Sequence, residues 1–387
     1  MDRIYFDHSA TTQVLPEVVK AMLPCFTKFF GNASEPHMPG NEAFELLLKS
    51  REVIASAINA KPDEIIFTSG GTESDNQAIK GVAEAYKKKG NHIITSSIEH
   101  PAVLNACKYL EKVGYDVTYV PVDKNGVVNP EDIENAINNK TTLISIMHAN
   151  NVVGSIQPIE EIGKLVKEKK VIFHTDAVQS FGTFKIDVNK LNVDLLSMSS
   201  HKLHGPKGVG ALYKRKRVKI TPLMHGGEHE KGRRAGTENI PGIVGFAKAV
   251  EIALSELNEK VKKLRELREY LVKGVMEGID DVKYLGHPED RLPGHASFTV
   301  KYVEGESIVL GLDHKGIAIS SGSACASMKL EPSHVLLAMG ISPEIAQGSI
   351  RISMGRDNTK EEVDYFLEVL PPIIIRLREI SPLYPGK

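Results

Sequence analysis

Ile65-Ile66-Phe67-Thr68-Ser69-Gly70-Gly71-Thr72-Glu73-Ser74 is the stretch on which the fold turns. Four β-branched or aromatic residues stop abruptly at a glycine turn, and an amphipathic run from Ser74 to Tyr86 follows at once, which predicts a strand feeding directly into a helix. The pattern recurs as far as Lys216. Strands are expected at Ile65–Thr68, His92–Thr95, Leu143–Met147, Val171–His174 and Leu195–Met198, separated by stretches long enough for crossover helices. The implied fold class is α/β, a large domain with a mostly parallel sheet flanked by helices. In such open sheets ligands collect beyond the carboxyl ends of the strands, so the turns after the strands are the places to look for chemistry.

From about Glu256 the character changes. Leu257, Val261, Leu264, Leu267 and Leu271 recur at helical spacing in a charged stretch, reading as one long amphipathic helix that links two domains. Short strand candidates at Ala296–Val300 and Ile350–Ser353 and a last helix near Lys360–Ile380 complete a smaller α+β domain. The expected division is 13–257 for the large domain, with 1–12 and 258–387 forming the small one.

The 387 residues suffice for two domains of that size. With 41% hydrophobic and 25% charged residues, and 32 Gly and 20 Pro, the chain is neither disordered nor fibrous. The formal charge of −1 gives no global field for nucleic acid or anionic lipid. The basic run Lys214-Arg215-Lys216-Arg217 lacks stacking aromatics and reads as a solvated strand end. No apolar run approaches the roughly 18 residues of a membrane span. The N-terminus has no basic start and long apolar core of a secretory signal, so a cytoplasmic protein is expected. Cys25, Cys107 and Cys325 are far apart and include no C-x-x-C pair, which argues against a disulfide framework and against a metal site.

Three strand ends are chemically loaded. Ser69-Gly70-Gly71-Thr72-Glu73 would turn free backbone N–H groups and a helix N-terminus toward an anion, though it has neither a P-loop nor a dinucleotide fingerprint. His174-Thr175-Asp176-Ala177-Val178-Gln179 places Asp176 just past an apolar strand, where it either caps the next helix or faces a protonated ring nitrogen that holds it ionised. Ser199-Ser200-His201-Lys202 sets a lysine where desolvation can make its amine nucleophilic. An anion cradle, a buried carboxylate and a strand-end lysine are together what pyridoxal phosphate requires.

These residues carry a resemblance. With Asp7-His8-Ser9-Ala10-Thr11-Thr12, Glu99-His100-Pro101-Ala102-Val103, His148-Ala149-Asn150-Asn151 and Ser321-Gly322-Ser323-Ala324-Cys325, the chain resembles the cysteine desulfurases among the fold type I, class V aminotransferase-like pyridoxal phosphate enzymes. The resemblance implies that Lys202 is the Schiff-base lysine, that Asp176 pairs with the ring nitrogen and that Gln179 bonds the phenolic oxygen. It implies that Gly71, Thr72, Ser199 and His201 hold the phosphate, while His100 stacks on the ring and moves protons. Thr237, in Arg234-Ala235-Gly236-Thr237-Glu238-Asn239, would reach the phosphate of a neighbouring subunit, implying a homodimer. Asn151 and Arg351 resemble the pair that grips the substrate carboxylate, and an arginine fork suits a carboxylate.

Cys325 lies among Ser320, Ser321, Gly322, Ser323, Ala324, Ala326 and Ser327, small residues typical of an exposed loop, whereas Cys25 and Cys107 read as buried small hydrophobes. The implied reaction converts L-cysteine to L-alanine, with the sulfur carried on Cys325 as a persulfide. The stretch Met328-Lys329-Leu330-Glu331-Pro332-Ser333 resembles the long-loop subgroup that supplies iron–sulfur cluster assembly, which makes a scaffold protein the expected acceptor. The chain departs from the family at Val152, where an acidic residue is usual, and at Asn32-Ala33-Ser34-Glu35-Pro36-His37. An aminotransferase, a selenocysteine lyase and a silent scaffold component are the rival readings.

Overall fold

The computed structural model describes residues 3–322 and 332–385. The N-terminal segment supplies β1 (Ile4–Tyr5). Seven strands then form one sheet: β2 (Ile65–Thr68), β3 (His92–Ser96), β4 (Asp116–Val120), β5 (Thr141–Ser145), β6 (Ile172–Asp176), β7 (Leu195–Ser199) and β8 (Gly210–Lys214). Their spatial order is β2-β8-β7-β6-β5-β3-β4, and only β8 runs antiparallel to its neighbours. Helices connect the parallel strands from β2 to β6, whereas β6 passes to β7 through the helix-free segment 177–194. β2, β3, β5, β6, β7 and β8 are buried throughout, which is why they read as continuous apolar runs rather than as alternations. β4 has an exposed or half-buried face at the sheet edge, and its mixed sequence hid it.

The order change places β6 and β7 side by side, each leading into a turn at its carboxyl end, while β2 enters the helix Gly71–Tyr86 at the same edge. That helix begins three residues earlier than the periodicity predicts, because Gly71, Thr72 and Glu73 already make its first turn. β8, not anticipated as a strand, lies between β2 and β7. It changes the reading of the basic run, since Lys214 is buried with Nζ donating to Val218 O at 2.9 Å, and Arg217 pairs with buried Asp194. Only Lys216 and Arg217 of the four are exposed.

A second layer follows the helix Leu257–Gly278. β9 (Val282–Tyr284), β10 (His295–Val300), β12 (Ser320–Ser321) and β13 (Ser349–Ser353) form an antiparallel sheet in the order β12-β13-β10-β9, while β11 (Ile317–Ala318) pairs with β1 in parallel. Leu264, Leu267, Leu271 and Val275 bury one stripe of the long helix against Phe298, Ile350, Phe366 and Leu370. Truncating one such fully buried side chain costs about 2–5 kcal/mol. The final helix, Lys360–Ile380, has the span read from the sequence, begun by a capping box between Thr359 and Glu362. Among the described residues no helix is long and apolar enough to cross a membrane.

Candidate active site

A cavity of about 330 Å³ opens at the carboxyl edge of the seven-stranded sheet. Gly71 and Thr72 line it from the helix after β2, His100 from the turn after β3, Asp176 and Gln179 from the end of β6, and Ser199, His201 and Lys202 from the end of β7. Asn151 and Arg351 close it from the side of the four-stranded sheet. Gly71 to Lys202 converge because strand ends of one sheet lie side by side, and the second sheet brings Arg351 to them. Thr237 does not line the cavity and is exposed on the chain surface. Cys325 lies outside the described residues.

The anion end is backbone-built. Gly70 has φ of 148°, a conformation that L side chains rarely adopt, and a Cβ on Gly71 would stand 2.6 Å from Val178 Cγ2. Glycine here lets the helix N-terminus approach β6. Ser69 N–H donates to Glu73 Oε2 at 2.7 Å, and Arg234 Nε donates to Glu73 Oε1 at 2.9 Å. Burial alone would raise the Glu73 carboxyl, but these hydrogen bonds and the guanidinium charge hold it below its ordinary value. Glu73 therefore ties the turn to the loop that carries Thr237. Burial pushes the His201 imidazole down to about 4, aided by Lys202 and Lys207. It is a neutral ring at neutral pH, with Nδ1 3.1 Å from Thr11 Oγ1.

At the opposite wall Asp176 is 5% exposed and its Oδ1 accepts the Val178 N–H at 2.9 Å. It is the last residue of β6 rather than the first beyond it, and so it is fully buried rather than partly. Asp176 caps a turn rather than a helix, since no helix follows before β7, and its side chain lines the cavity. Burial raises its carboxyl, opposed by the neighbouring His100 ring, the Val178 N–H and the Lys202 ammonium. A cationic partner in the cavity would stabilise its ionised form. His100 also does two things, its Nδ1 accepting the Ala102 N–H at 3.1 Å to cap the helix Pro101–Lys112 while its ring lines the cavity. Burial lowers its pKa.

Lys202 Nζ donates to the carbonyls of Ser9 at 2.5 Å and Ala10 at 2.7 Å, and Gln179 Nε2 donates to the same Ser9 carbonyl at 3.0 Å. The segment after β1 is thus an acceptor for both. Arg351 sits in β13, which is buried on both faces. The alternation of Ser349, Arg351 and Ser353 predicts a polar face away from the core, and the structure covers that face: Ser9 N–H donates to Ser353 Oγ at 2.8 Å, and Arg351 Nη2 meets Asp7 Oδ1 at 2.7 Å. Arg351 Nη1 donates to the Asn151 carbonyl at 3.1 Å.

Sequence reasoning assigned no role to Asp7, Glu73, Asp75 or Glu99, although Asp7, Glu73 and Glu99 stand inside the quoted motifs and Asp75 directly follows one. Asp75 lines the cavity and is buried, with its carboxyl raised well above the ordinary range by desolvation and then by Asp176. Glu99 accepts from Ser96 Oγ at 2.5 Å and Met147 N–H at 2.9 Å, and burial pushes it up to about 8. Only proximity in space reveals these carboxylates as neighbours. Cys25 and Cys107 are buried free thiols, as their surroundings in the sequence predict.

A glycine cradle that a Cβ would fill, a half-buried neutral imidazole, a buried carboxylate and a lysine in one cavity fit an aromatic phosphate cofactor bearing an aldehyde. Comparison with known proteins agrees. The Aminotransferase class-V family pattern matches residues 4–366, and the chain belongs to that family of pyridoxal phosphate-dependent enzymes. Within it the chain falls in the cysteine desulfurase group. It is 55% identical to "Cysteine desulfurase IscS" of Methanosarcina thermophila over 99% of this chain and 94% of that one. It is 53% identical to the protein of that name from Dictyoglomus turgidum, over 98% and 96%. A solved structure described as "NIFS-LIKE PROTEIN" superposes with a TM-score of 0.92 at 44% identity, covering 97% of this chain and all of that one.

Proposed function

We propose that the chain converts L-cysteine to L-alanine and passes the sulfur on from Cys325. The observation that supports this most directly is the meeting of Gly71–Thr72, Asp176 and Lys202 in one cavity with Arg351 at its rim. Gly71, Thr72, Ser199 and His201 would hold the phosphate of pyridoxal phosphate, Gln179 its phenolic oxygen, Asp176 its ring nitrogen, His100 its ring face and Lys202 its aldehyde carbon. Bound there, the cofactor supplies an electron sink for the pair released when the substrate's Cα–H bond breaks.

The chain's own residues do the rest. Arg351 and Asn151 grip the substrate carboxylate and fix which Cα bond is presented. Lys202 Nζ takes the α proton, with Ser9 and Ala10 carbonyls as acceptors for the resulting ammonium. His100, a neutral imidazole at neutral pH, is placed to move a proton at the thiol. The Cys325 thiolate then forms an S–S bond to the substrate sulfur as the Cβ–S bond breaks. The electron pair stays on carbon and is protonated, so that L-cysteine plus the Cys325 thiol become L-alanine plus the Cys325 persulfide.

The division into domains 13–257 and 1–12 with 258–387 is part of this reading; separate apolar clusters on the seven-stranded and four-stranded sheets support it, while a further cluster around Met147, Val153, Leu285 and Leu336 packs the two parts together. So is the homodimer in which Thr237 reaches the neighbour's phosphate. Leu23, Phe26, Phe30 and Met38 expose a large apolar surface near the N-terminal helices, of the kind a partner covers. A scaffold protein for iron–sulfur assembly is the proposed sulfur acceptor and the cytoplasm the proposed compartment. Incubating the protein with pyridoxal phosphate, L-cysteine and reductant tests the core: alanine and sulfide appear in equal amounts. Keto acid in place of alanine would establish a transaminase instead.

A further inference from the structure

Arg351 carries its charge in a site that is 4% exposed, and an isolated buried cation is costly unless paired. Its carboxylate partner among the described residues is Asp7, 2.7 Å from Nη2. The two approach from different sides: Arg351 lines the 330 Å³ cavity and Asp7 does not. Asp7 thus pairs with the guanidinium without forming part of the cavity wall. Nor can it easily swing away, because its own segment is fastened on both sides. His8 N–H donates to Ser353 O at 3.1 Å, Tyr5 Oη donates to Asp7 O at 3.0 Å, and Asp7 bridges to Ser353 as a strand would. The Asn151 carbonyl takes Nη1, and Nε is buried with no hydrogen-bond partner among the described residues. Arg351 nonetheless lines the cavity, which keeps its guanidinium within reach of a carboxylate there.

We propose that Asp7 is a specificity-determining residue: by holding Arg351 as a neutral ion pair it makes the carboxylate site prefer amino acids of zero net charge over those with a second negative group. An uncompensated guanidinium attracts every negative charge a ligand carries, whereas a compensated one offers hydrogen-bond geometry with little net field beyond it. A second carboxylate on the ligand would then be placed in a cavity whose wall already holds the Asp176 carboxylate, while the Arg351 charge that would otherwise attract it is offset by Asp7. The inference deepens the proposed function and rests on it, since it takes Arg351 as the carboxylate grip.

The test uses the holoenzyme and two amino acids, L-alanine and L-aspartate, with binding read from the change each causes in the visible absorbance of the bound cofactor. In Asp7→Asn, which keeps shape and loses charge, the preference for L-alanine over L-aspartate should fall at least about tenfold relative to the unsubstituted protein. Asp7→Glu should keep that preference, and Asp7→Ser serves as the neutral variant should Asp7→Asn not fold. Steric differences between the two ligands cancel in the ratio, and a merely structural role for Asp7 would weaken both alike. A ratio unchanged in a folded neutral variant overturns the proposal and leaves the desulfurase reading standing. Tighter L-alanine binding with an unchanged ratio also overturns it, because Asp7 would then be a competitor for Arg351. An unsubstituted holoenzyme that answers neither amino acid overturns the functional reading and this one with it.

Discussion

Glu73 and Arg234, 161 residues apart, form an ion pair of 2.9 Å that joins the anion-binding turn to the loop bearing Thr237. Glu73 also accepts the Ser69 N–H, so one carboxylate orders both the turn and the loop. The pair is largely shielded from solvent, where charge-assisted hydrogen bonds keep more of their strength than at an open surface. Glu73→Gln should weaken pyridoxal phosphate binding about fivefold to tenfold, as loss of one charge-assisted bond would. Titrating cofactor into apo protein measures it, and an unchanged affinity would remove Glu73 from the cradle.

Gly71→Ala separates the cradle from the fold. The added methyl would press on Val178, whose amide hydrogen-bonds Asp176, so the disturbance reaches the cofactor site rather than the core. Cofactor affinity should drop by about an order of magnitude while the thermal midpoint moves by only a few degrees, within about 1–2 kcal/mol. Equal losses in both would show that the position is merely structural.

Lys202 and Cys325 are expected to fail differently. Lys202→Ala should abolish the visible absorbance of covalently held cofactor together with all turnover. Cys325→Ala should keep that absorbance and lose persulfide, detected by mass spectrometry after exposure to L-cysteine. A Cys325→Ala protein that still releases sulfide would refute the carrier role.

The pH dependence of stability has two opposed parts. Burial pushes His148 and His201 down to about 4, and His174 to about 3. An unfolded imidazole takes its proton near 6.5, so the unfolded chain binds more protons in this range, and stability falls as pH drops from roughly 6.5 toward 4. Glu99 works the other way. Raised to about 8, first by burial, it keeps a proton that the unfolded chain releases near 4.5, and its contribution is lost as pH climbs between those values. Glu99→Gln should therefore flatten the loss of stability on the alkaline side and leave the acid side unchanged. Urea unfolding at about pH 5 and about pH 8 compares the two; a slope unaltered by the substitution would mean that Glu99 is ionised in the folded chain.

Much of this was legible in the residue order. Strands β2 and β7 and the helix Lys360–Ile380 stand where the sequence predicts them, because buried parallel strands and long amphipathic helices leave strong local signatures. β4 and β8 escaped: one is a half-exposed edge strand, and the other runs from Gly210 to Lys214 and so ends on a charged residue. Lys202, Asp176 and Arg351 could be named from their motifs, yet nothing in the order of residues says that Arg351 would be paired by Asp7, or that Lys202 would rest on Ser9 and Ala10.

The chemical inventory at the strand ends, and with it the kind of cofactor the chain can hold, is local: it depends on which residue types follow an apolar run, and residue order carries that directly. The charge state of the site is not local. Asp75, Glu99 and Asp176 act on one another, Asp176 on His100 and Lys202, and Asp7 on Arg351, only because folding removes the water between them and brings distant elements within a few ångströms, where Coulomb interactions and desolvation outweigh the intrinsic preferences of each group.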